Sequence, residues 1–147
     1  PYHVIAADLN NDGKQDIISA NNGDSTISWF QNLGNGTFSS KITVTNSAFN
    51  VESIDTADVD NDGDLDIYVT NGTSGNLHKI NNGDGTFTDA DEQLGTTLNR
   101  FCWSAQFIDA DRDGLQDLHI CSTPHVNLPG ENFLYRNLGQ VIVSATE

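Results

Sequence analysis

The sequence points to an all-β protein made of three similar units, each of four short antiparallel strands. Three observations carry this expectation. Only 36 % of the 147 residues are apolar, while Gly, Asn and Asp are abundant, a composition that suits short strands and turns and disfavours long helices. The chain repeats itself with a period of about 50 residues. Each repeat carries the same nine-residue, Asp-rich segment between two short β-type runs.

The elements follow in order. In the first unit, residues 1–48, Val4-Ile5-Ala6-Ala7 is the first strand and Ile17-Ile18-Ser19-Ala20 the second, joined by the Asp-rich segment. The third strand ends in Ser28-Trp29-Phe30-Gln31-Asn32. A turn at Gly34-Asn35-Gly36 then leads to a fourth strand opening at Thr37-Phe38. Glycine there supplies the positive φ of a tight hairpin. The second unit, residues 49–98, repeats this with Ile54-Asp55-Thr56-Ala57, Ile67-Tyr68-Val69-Thr70, Leu77-His78-Lys79-Ile80-Asn81 and Gly83-Asp84-Gly85-Thr86-Phe87. The third, residues 99–147, has Ser104-Ala105-Gln106-Phe107-Ile108, Leu118-His119-Ile120-Cys121 and Phe133-Leu134-Tyr135-Arg136-Asn137, then Gly139 and an outer strand at Val141-Ile142-Val143. At most one helical turn is expected, within residues 89–99. Four short antiparallel strands per repeat is the pattern of a β-propeller blade. Closed propellers have about 4–8 blades. Three are therefore expected to be a fragment of a longer ring, or to complete a ring or filament with other chains, since open apolar blade faces drive association.

The Asp-rich segments read Asp8-Leu9-Asn10-Asn11-Asp12-Gly13-Lys14-Gln15-Asp16, Asp58-Val59-Asp60-Asn61-Asp62-Gly63-Asp64-Leu65-Asp66 and Asp109-Ala110-Asp111-Arg112-Asp113-Gly114-Leu115-Gln116-Asp117. All fit D-x-[DN]-x-D-G-x-x-D. A single Asp-Gly turn is ordinary loop chemistry; three full matches at near-constant spacing call for a common ligand. Ca²⁺ is a hard cation that takes about 6–8 oxygens at about 2.3–2.6 Å. A curled loop brings the side chains at positions 1, 3 and 5 together: Asp8, Asn10 and Asp12; Asp58, Asp60 and Asp62; Asp109, Asp111 and Asp113. Glycine at position 6 allows the bend. Position 7 offers a backbone carbonyl, which leaves its side chain free to vary as Lys14, Asp64 and Leu115. Position 9 returns a carboxylate from Asp16, Asp66 or Asp117. An EF-hand needs a bidentate Glu at position 12, and Ser19, Val69 and Ile120 stand there. Zinc spacing of Cys and His is absent, and Mg²⁺ prefers to keep its water. The second loop, with five acids, is expected to bind tightest, and the first, with Asn10, more weakly.

The charge agrees. With 21 acids against 6 bases the formal net charge is −15, which repels nucleic acid and anionic lipid. Twelve of the 21 (three, five and four in successive loops) lie in the Asp-rich segments. Such a distribution argues for gathered cation sites rather than disorder. No apolar run approaches the roughly 18 residues of a membrane span, and no signal peptide is visible. Methionine is absent even at position 1, so the chain is expected to begin at a processing site or an artificial boundary. Cys102 and Cys121 fall on neighbouring strands about three residues out of register, so a disulfide would need a bulge; buried thiols are the alternative.

The units resemble FG-GAP/VCBS repeats, the blades of integrin α-subunit propellers and of many bacterial surface proteins. The three loops carry the resemblance, with Asn32-x-Gly34-x-Gly36-Thr37-Phe38, Asn81-x-Gly83-x-Gly85-Thr86-Phe87 and Phe133-Leu134-Tyr135-Arg136-Asn137. It implies calcium at the loop residues already named. The Phe-Gly and Gly-Ala-Pro elements are not literally present, which places the chain nearer the bacterial VCBS branch.

Three functions compete. The first is a non-catalytic, extracellular, Ca²⁺-stabilised module for adhesion, protein interaction or assembly, with a protein partner or a further copy of itself. The second is a carbohydrate-binding lectin, with Trp29, Trp103 and Tyr135 as candidate platforms, though packing between blades is the preferred reading of these aromatics. The third, an enzyme, has little support. His3, His78, His119 and His125 are scattered, and no G-x-S-x-G, H-E-x-x-H or P-loop occurs. Residues 122–131 break the repeat with two prolines and are a candidate contact loop.

Overall fold

Short runs of apolar and β-branched residues, broken every few positions by Gly, Asn and Asp, favour strands linked by turns. The computed structural model describes residues 1–72, 75–90, 101–123, 131–139 and, as backbone, 142–144. Among these there are strands and turns and no helix, arranged as three four-stranded antiparallel sheets and one two-stranded ribbon. None of the described elements is a helix able to cross a membrane.

The first blade is β1 (His3–Ala7), β2 (Asp16–Asn21), β3 (Thr26–Phe30) and an outer strand, Ile42–Thr45. That outer strand corrects the sequence reading. Thr37-Phe38 does not pair with the third strand. It forms β5 (Thr37–Phe38), which pairs with β4 (Asn32–Gly34) as a separate ribbon, and β6 (Ile42–Thr45) takes the outer place with Ile42 opposite Trp29. The cause is local. The Ser39 amide still bonds Gln31 O at 2.9 Å, but Ser39-Ser40-Lys41 interrupts the ladder before it resumes. The second blade is β7 (Val51–Ala57), β8 (Asp66–Asn71), β9 (Leu77–Asn81) and β10 (Phe87–Asp89). There Phe87 does pair with Asn81, as the repeat suggests. The third blade is β11 (Cys102–Ile108), β12 (Asp117–Ser122), β13 (Asn132–Asn137) and β14 (Ile142–Ser144).

The blades stack face to face through two seams. Strand side chains alternate between faces. Ile18, Ala20, Ile27 and Trp29 of the first blade therefore point one way and meet Ile54, Ile67, Val69 and Leu77 of the second. The opposite face of the second blade, with Ala57 and Tyr68, meets Ala105, Phe107, Leu118, Ile120 and Tyr135 of the third. The middle strand β8 is consequently buried throughout, because it is covered on both sides. The innermost strands β1, β7 and β11 lie against one another in sequence. The ring is open: among the described residues no element packs on the outer face of the first blade or of the third.

The cysteines are settled by register. A bulge at Trp103 sets Cys102 opposite Ser122 and Cys121 opposite Ser104. Neighbours along a strand point to opposite faces, so the two sulfurs lie on different sides of the sheet and both remain thiols. The helical turn considered for residues 89–99 lies, beyond Ala90, outside the described residues. So does most of the 122–131 segment.

Candidate metal centre

Each Asp-rich segment is a bend between the first two strands of its blade. The bend needs two residues with positive φ. One is position 4 (Asn11, Asn61 and Arg112, φ 56, 63 and 64°) and the other the glycine at position 6 (Gly13, Gly63 and Gly114, φ 82, 98 and 93°). Asparagine tolerates this region and glycine adopts it freely. Arginine does so at a cost, so the third loop is the most constrained.

Within the bend the carboxylates first organise the backbone. The position-1 side chain accepts from the amides at positions 5 and 6: Asp8 from Asp12 and Gly13 (3.0 and 2.7 Å), Asp58 from Asp62 and Gly63 (3.1 and 3.0 Å), Asp109 from Asp113 and Gly114 (3.1 and 3.2 Å). The position-5 side chain accepts from the amide at position 7 in all three, at 3.0, 2.9 and 2.9 Å. The position-9 carboxylate is fully buried in each blade. Its Oδ1 accepts the amide of the Asn that ends the third strand: Asp16 from Asn32 at 2.7 Å, Asp66 from Asn81 at 2.8 Å, Asp117 from Asn137 at 2.9 Å. Its Oδ2 takes a second donor, Trp29 Nε1 at 2.8 Å, the Val59 amide at 2.9 Å or the Ala110 amide at 3.0 Å.

The result is a set of oxygens that fits a hard cation. In the second loop Asp58, Asp60 and Asp66 bring carboxylate oxygens within 4.8 Å of one another, and in the third Asp109, Asp111 and Asp113 do the same. Burial pushes the Asp66 carboxyl up to about 7, against the pull of the Asn81 and Val59 amides, and repulsion from Asp60 and Asp62 adds to the rise. Burial, then repulsion from Asp62 and Asp58, also raises Asp60. Carboxylates that resist ionising together are relieved by a divalent ion. The first loop differs. Asn10 replaces a carboxylate, and the Lys14 ammonium sits 2.9 Å from Asp12 Oδ2 and holds that carboxyl below its usual range. Arg136 likewise pairs with Asp111 in the third loop. Among the described residues the second loop has no such internal cation. Position 7 turns its side chain onto the Asn-x-Gly turn of its own blade. Asp64 Oδ2 lies over Gly83, Lys14 Cε near Gly34 and Leu115 Cδ1 near Gly139, an arrangement compatible with a purely main-chain role for Lys14, Asp64 and Leu115.

One recurring residue carries a role that spacing did not reveal. Asn81 Nδ2 donates to Leu9 O at 2.8 Å, and Asn137 Nδ2 to Val59 O at 2.8 Å. Each reaches from its blade to position 2 of the preceding blade's loop, so loop and seam are one hydrogen-bonded unit. Each Asn also accepts from the glycine two residues on, at 3.1 and 2.9 Å. The only signal in the sequence was the repeated Asn-x-Gly.

Of the candidate sugar platforms, Trp29 and Tyr135 are buried in the seams, and Trp29 packs edge-on against Phe87 at 6.3 Å. Trp103 is 53 % exposed and lies against Phe101, 4.7 Å between ring centroids. His78 is buried against Tyr68, and burial lowers its pKa to about 4.

Comparison with known proteins agrees with this geometry. A family described as FG-GAP-like repeat matches twice, over residues 8–69 and 58–120, each match running from one loop through the next. No curated protein sequence matches. Among solved structures, a lectin from Agrocybe aegerita, described for specific recognition of non-reducing terminal N-acetylglucosamine, is similar with a TM-score of 0.61 and 25 % identity. The similarity covers 98 % of this chain and 38 % of the lectin chain, so this chain spans well under half of that structure.

Proposed function

The chain belongs to the FG-GAP-like repeat family, and on that premise we propose that it is a Ca²⁺-stabilised, non-catalytic binding module that works outside the cell in adhesion, protein interaction or assembly. The observation that carries this reading is the convergence of carboxylates in bends that also anchor the blade seams. Asp58, Asp60, Asp62 and Asp66, with the Asp64 carbonyl, would hold an ion in the second loop. Asp109, Asp111, Asp113 and Asp117, with the Leu115 carbonyl, would do so in the third. Asp8, Asn10, Asp12 and Asp16, with the Lys14 carbonyl, would do so in the first, once Lys14 releases Asp12. Calcium would supply the charge that lets these acids lie together. Extracellular sites commonly have affinities on the order of 10⁻⁴–10⁻³ M, which millimolar Ca²⁺ fills. Ions that bind only the folded chain stabilise it by mass action. Thermal melts in 2 mM Ca²⁺, 2 mM Mg²⁺ and EDTA test this, with a higher midpoint expected in Ca²⁺ alone; equal midpoints in all three contradict it.

A second reading, carbohydrate binding, is favoured by one observation, the likeness to a lectin. Trp103 is the candidate platform that stays accessible. A glycan array separates the readings. Sugar binding lost in Trp103→Ala supports the lectin, and an empty array with retained Ca²⁺ stabilisation supports the assembly module.

A further inference from the structure

The three Asp-rich bends are joined to one another by the same side chain in successive blades. Asn81 sits between the first two. Its Nδ2 donates to Leu9 O, between Asp8 and Asn10 of the first bend, at 2.8 Å, and to Leu65 O, beside Asp66 of the second, at 3.2 Å. Its backbone amide donates to Asp66 Oδ1 at 2.8 Å. Asn137 repeats the arrangement between the second bend and the third. Its Nδ2 reaches Val59 O, between Asp58 and Asp60, at 2.8 Å, and Gln116 O, beside Asp117, at 3.3 Å, while its amide holds Asp117 Oδ1 at 2.9 Å. Both asparagines are buried, where such bonds are stronger than in water. Asn11 Nδ2 also lies 3.5 Å from Gly63 O, a direct contact between the first and second bends at the limit of a hydrogen bond. Every bend residue that Asn81 and Asn137 touch is a candidate ligand or its immediate neighbour in the chain.

We propose that Asn81 and Asn137 couple the three bends, so that an ion held in one raises the affinity of the next. An ion that draws Asp8 and Asn10 together fixes the peptide between them, and with it the Leu9 carbonyl. Asn81 is then held at one partner and holds Asp66 in place for the second bend. The ordering is done once and serves both sites, which is the entropic route to positive cooperativity. Coupling of this kind is reciprocal. The second bend is linked on both sides and is the hub. The first, where Asn10 replaces a carboxylate and Lys14 holds Asp12, depends most on its neighbour. Charge works in the opposite direction, because a filled second bend is less negative than an empty one and attracts a neighbouring cation less. Salt screens that effect between exposed groups over about 8 Å at physiological ionic strength. The buried hydrogen bonds are not screened in this way, so the link through Asn81 sets the sign.

This rests on the calcium reading above, and its test keeps the two apart. Tb³⁺ is a hard cation that takes Ca²⁺ positions and emits when excited through a nearby indole. It reads the first bend, because Trp29 Nε1 donates to Asp16 at 2.8 Å. In the Trp103→Phe background Trp29 is the one remaining tryptophan, and the part of the emission lost in Asp12→Ala belongs to the first bend. Asp60→Ala, at an exposed position, disables the second bend. The Tb³⁺ concentration that half-saturates the first bend is then expected to rise about fivefold or more, the lower end of ordinary coupling. Charge alone would lower it, since the emptied second bend is more negative. The rise is expected to vanish in Asn81→Ala and to persist in Asn137→Ala, which cuts only the other link. The exposed position of Asp60 makes the first comparison independent of how well Asn81→Ala folds. A half-saturation unmoved or lowered by Asp60→Ala, or a rise that survives Asn81→Ala, overturns the coupling and leaves the calcium reading standing. No emission from the first bend overturns both.

Discussion

Removing calcium should cost the fold more at pH 8 than at pH 5, and Asp66 sets the scale. This carboxyl is fully buried in the second loop, and burial carries it from 3.8 to about 7 when no ion is present. Its folded value lies above its unfolded value of about 3.9. The ion-free fold therefore has this group's full support below about pH 4 and loses it as pH rises through about 7. A shift of about three units corresponds to about 4 kcal/mol. About a third of that is already lost at pH 5, which lies above the unfolded value, and solvent around the exposed acids of the loop screens part of the rest, which leaves about 1 kcal/mol between pH 5 and pH 8. Calcium would select the ionised carboxylate and cancel the loss. For a chain of this length 1 kcal/mol moves the melting midpoint by roughly 2–4 °C, so the chelator-induced drop should be roughly 2–4 °C larger at pH 8 than at pH 5. Scanning calorimetry in 2 mM Ca²⁺ and in EDTA at both pH values reads this directly. His78, whose folded pKa is lowered to about 4, loses stability as pH falls from about 6.5, but equally in both arms, so it drops out of the difference. In Asp66→Asn the extra drop should vanish. A chelator effect that is the same at both pH values, or larger at pH 5, refutes the reasoning.

Other substitutions probe the seams and bends. Asn81→Ala removes donors to Leu9 O and Leu65 O and the acceptor of the Gly83 amide, and should cost about 2–4 kcal/mol in urea melts; Asn32→Ala, which among the described residues has no link to a preceding blade, should cost about half as much. Trp29→Ala empties the first seam and leaves Asp16 without its indole donor, so a loss of about 3–5 kcal/mol is expected by the same assay. His78→Leu removes a group that charges only on unfolding, and should flatten the stability loss seen in calorimetry between pH 6.5 and 5. Gly63→Ala meets no atom within 4 Å but must hold φ 98°, so its cost should be backbone strain of about 1–2 kcal/mol, with weaker calcium retention.

The bends were legible because their chemistry is local. Alternate carboxylates and a glycine at position 6 specify the curl wherever the chain goes next, and Asp58, Asp60 and Asp66 do converge. The strands flanking them were legible for the same reason. What lay beyond the sequence was non-local. The outer strand of the first blade was misplaced because Thr37-Phe38 and Phe87 share a motif, while the interruption at residues 39–41 acts only through the ladder it breaks. The reach of Asn81 to Leu9, 72 residues away, depends on how two blades stack, which no spacing encodes. Nor does composition reveal that Lys14 folds back onto Asp12, or that Arg136 reaches Asp111 from another strand. These internal cations predict that the first and third loops bind calcium more weakly than the second.

Anomalous diffraction from crystals grown in millimolar Ca²⁺ tests the central claim most directly. One peak is expected inside each bend, strongest among Asp58, Asp60 and Asp66, with Lys14 displaced from Asp12. Bends that contain only solvent, with Lys14 still on Asp12 and no peak in the second loop, would contradict the account.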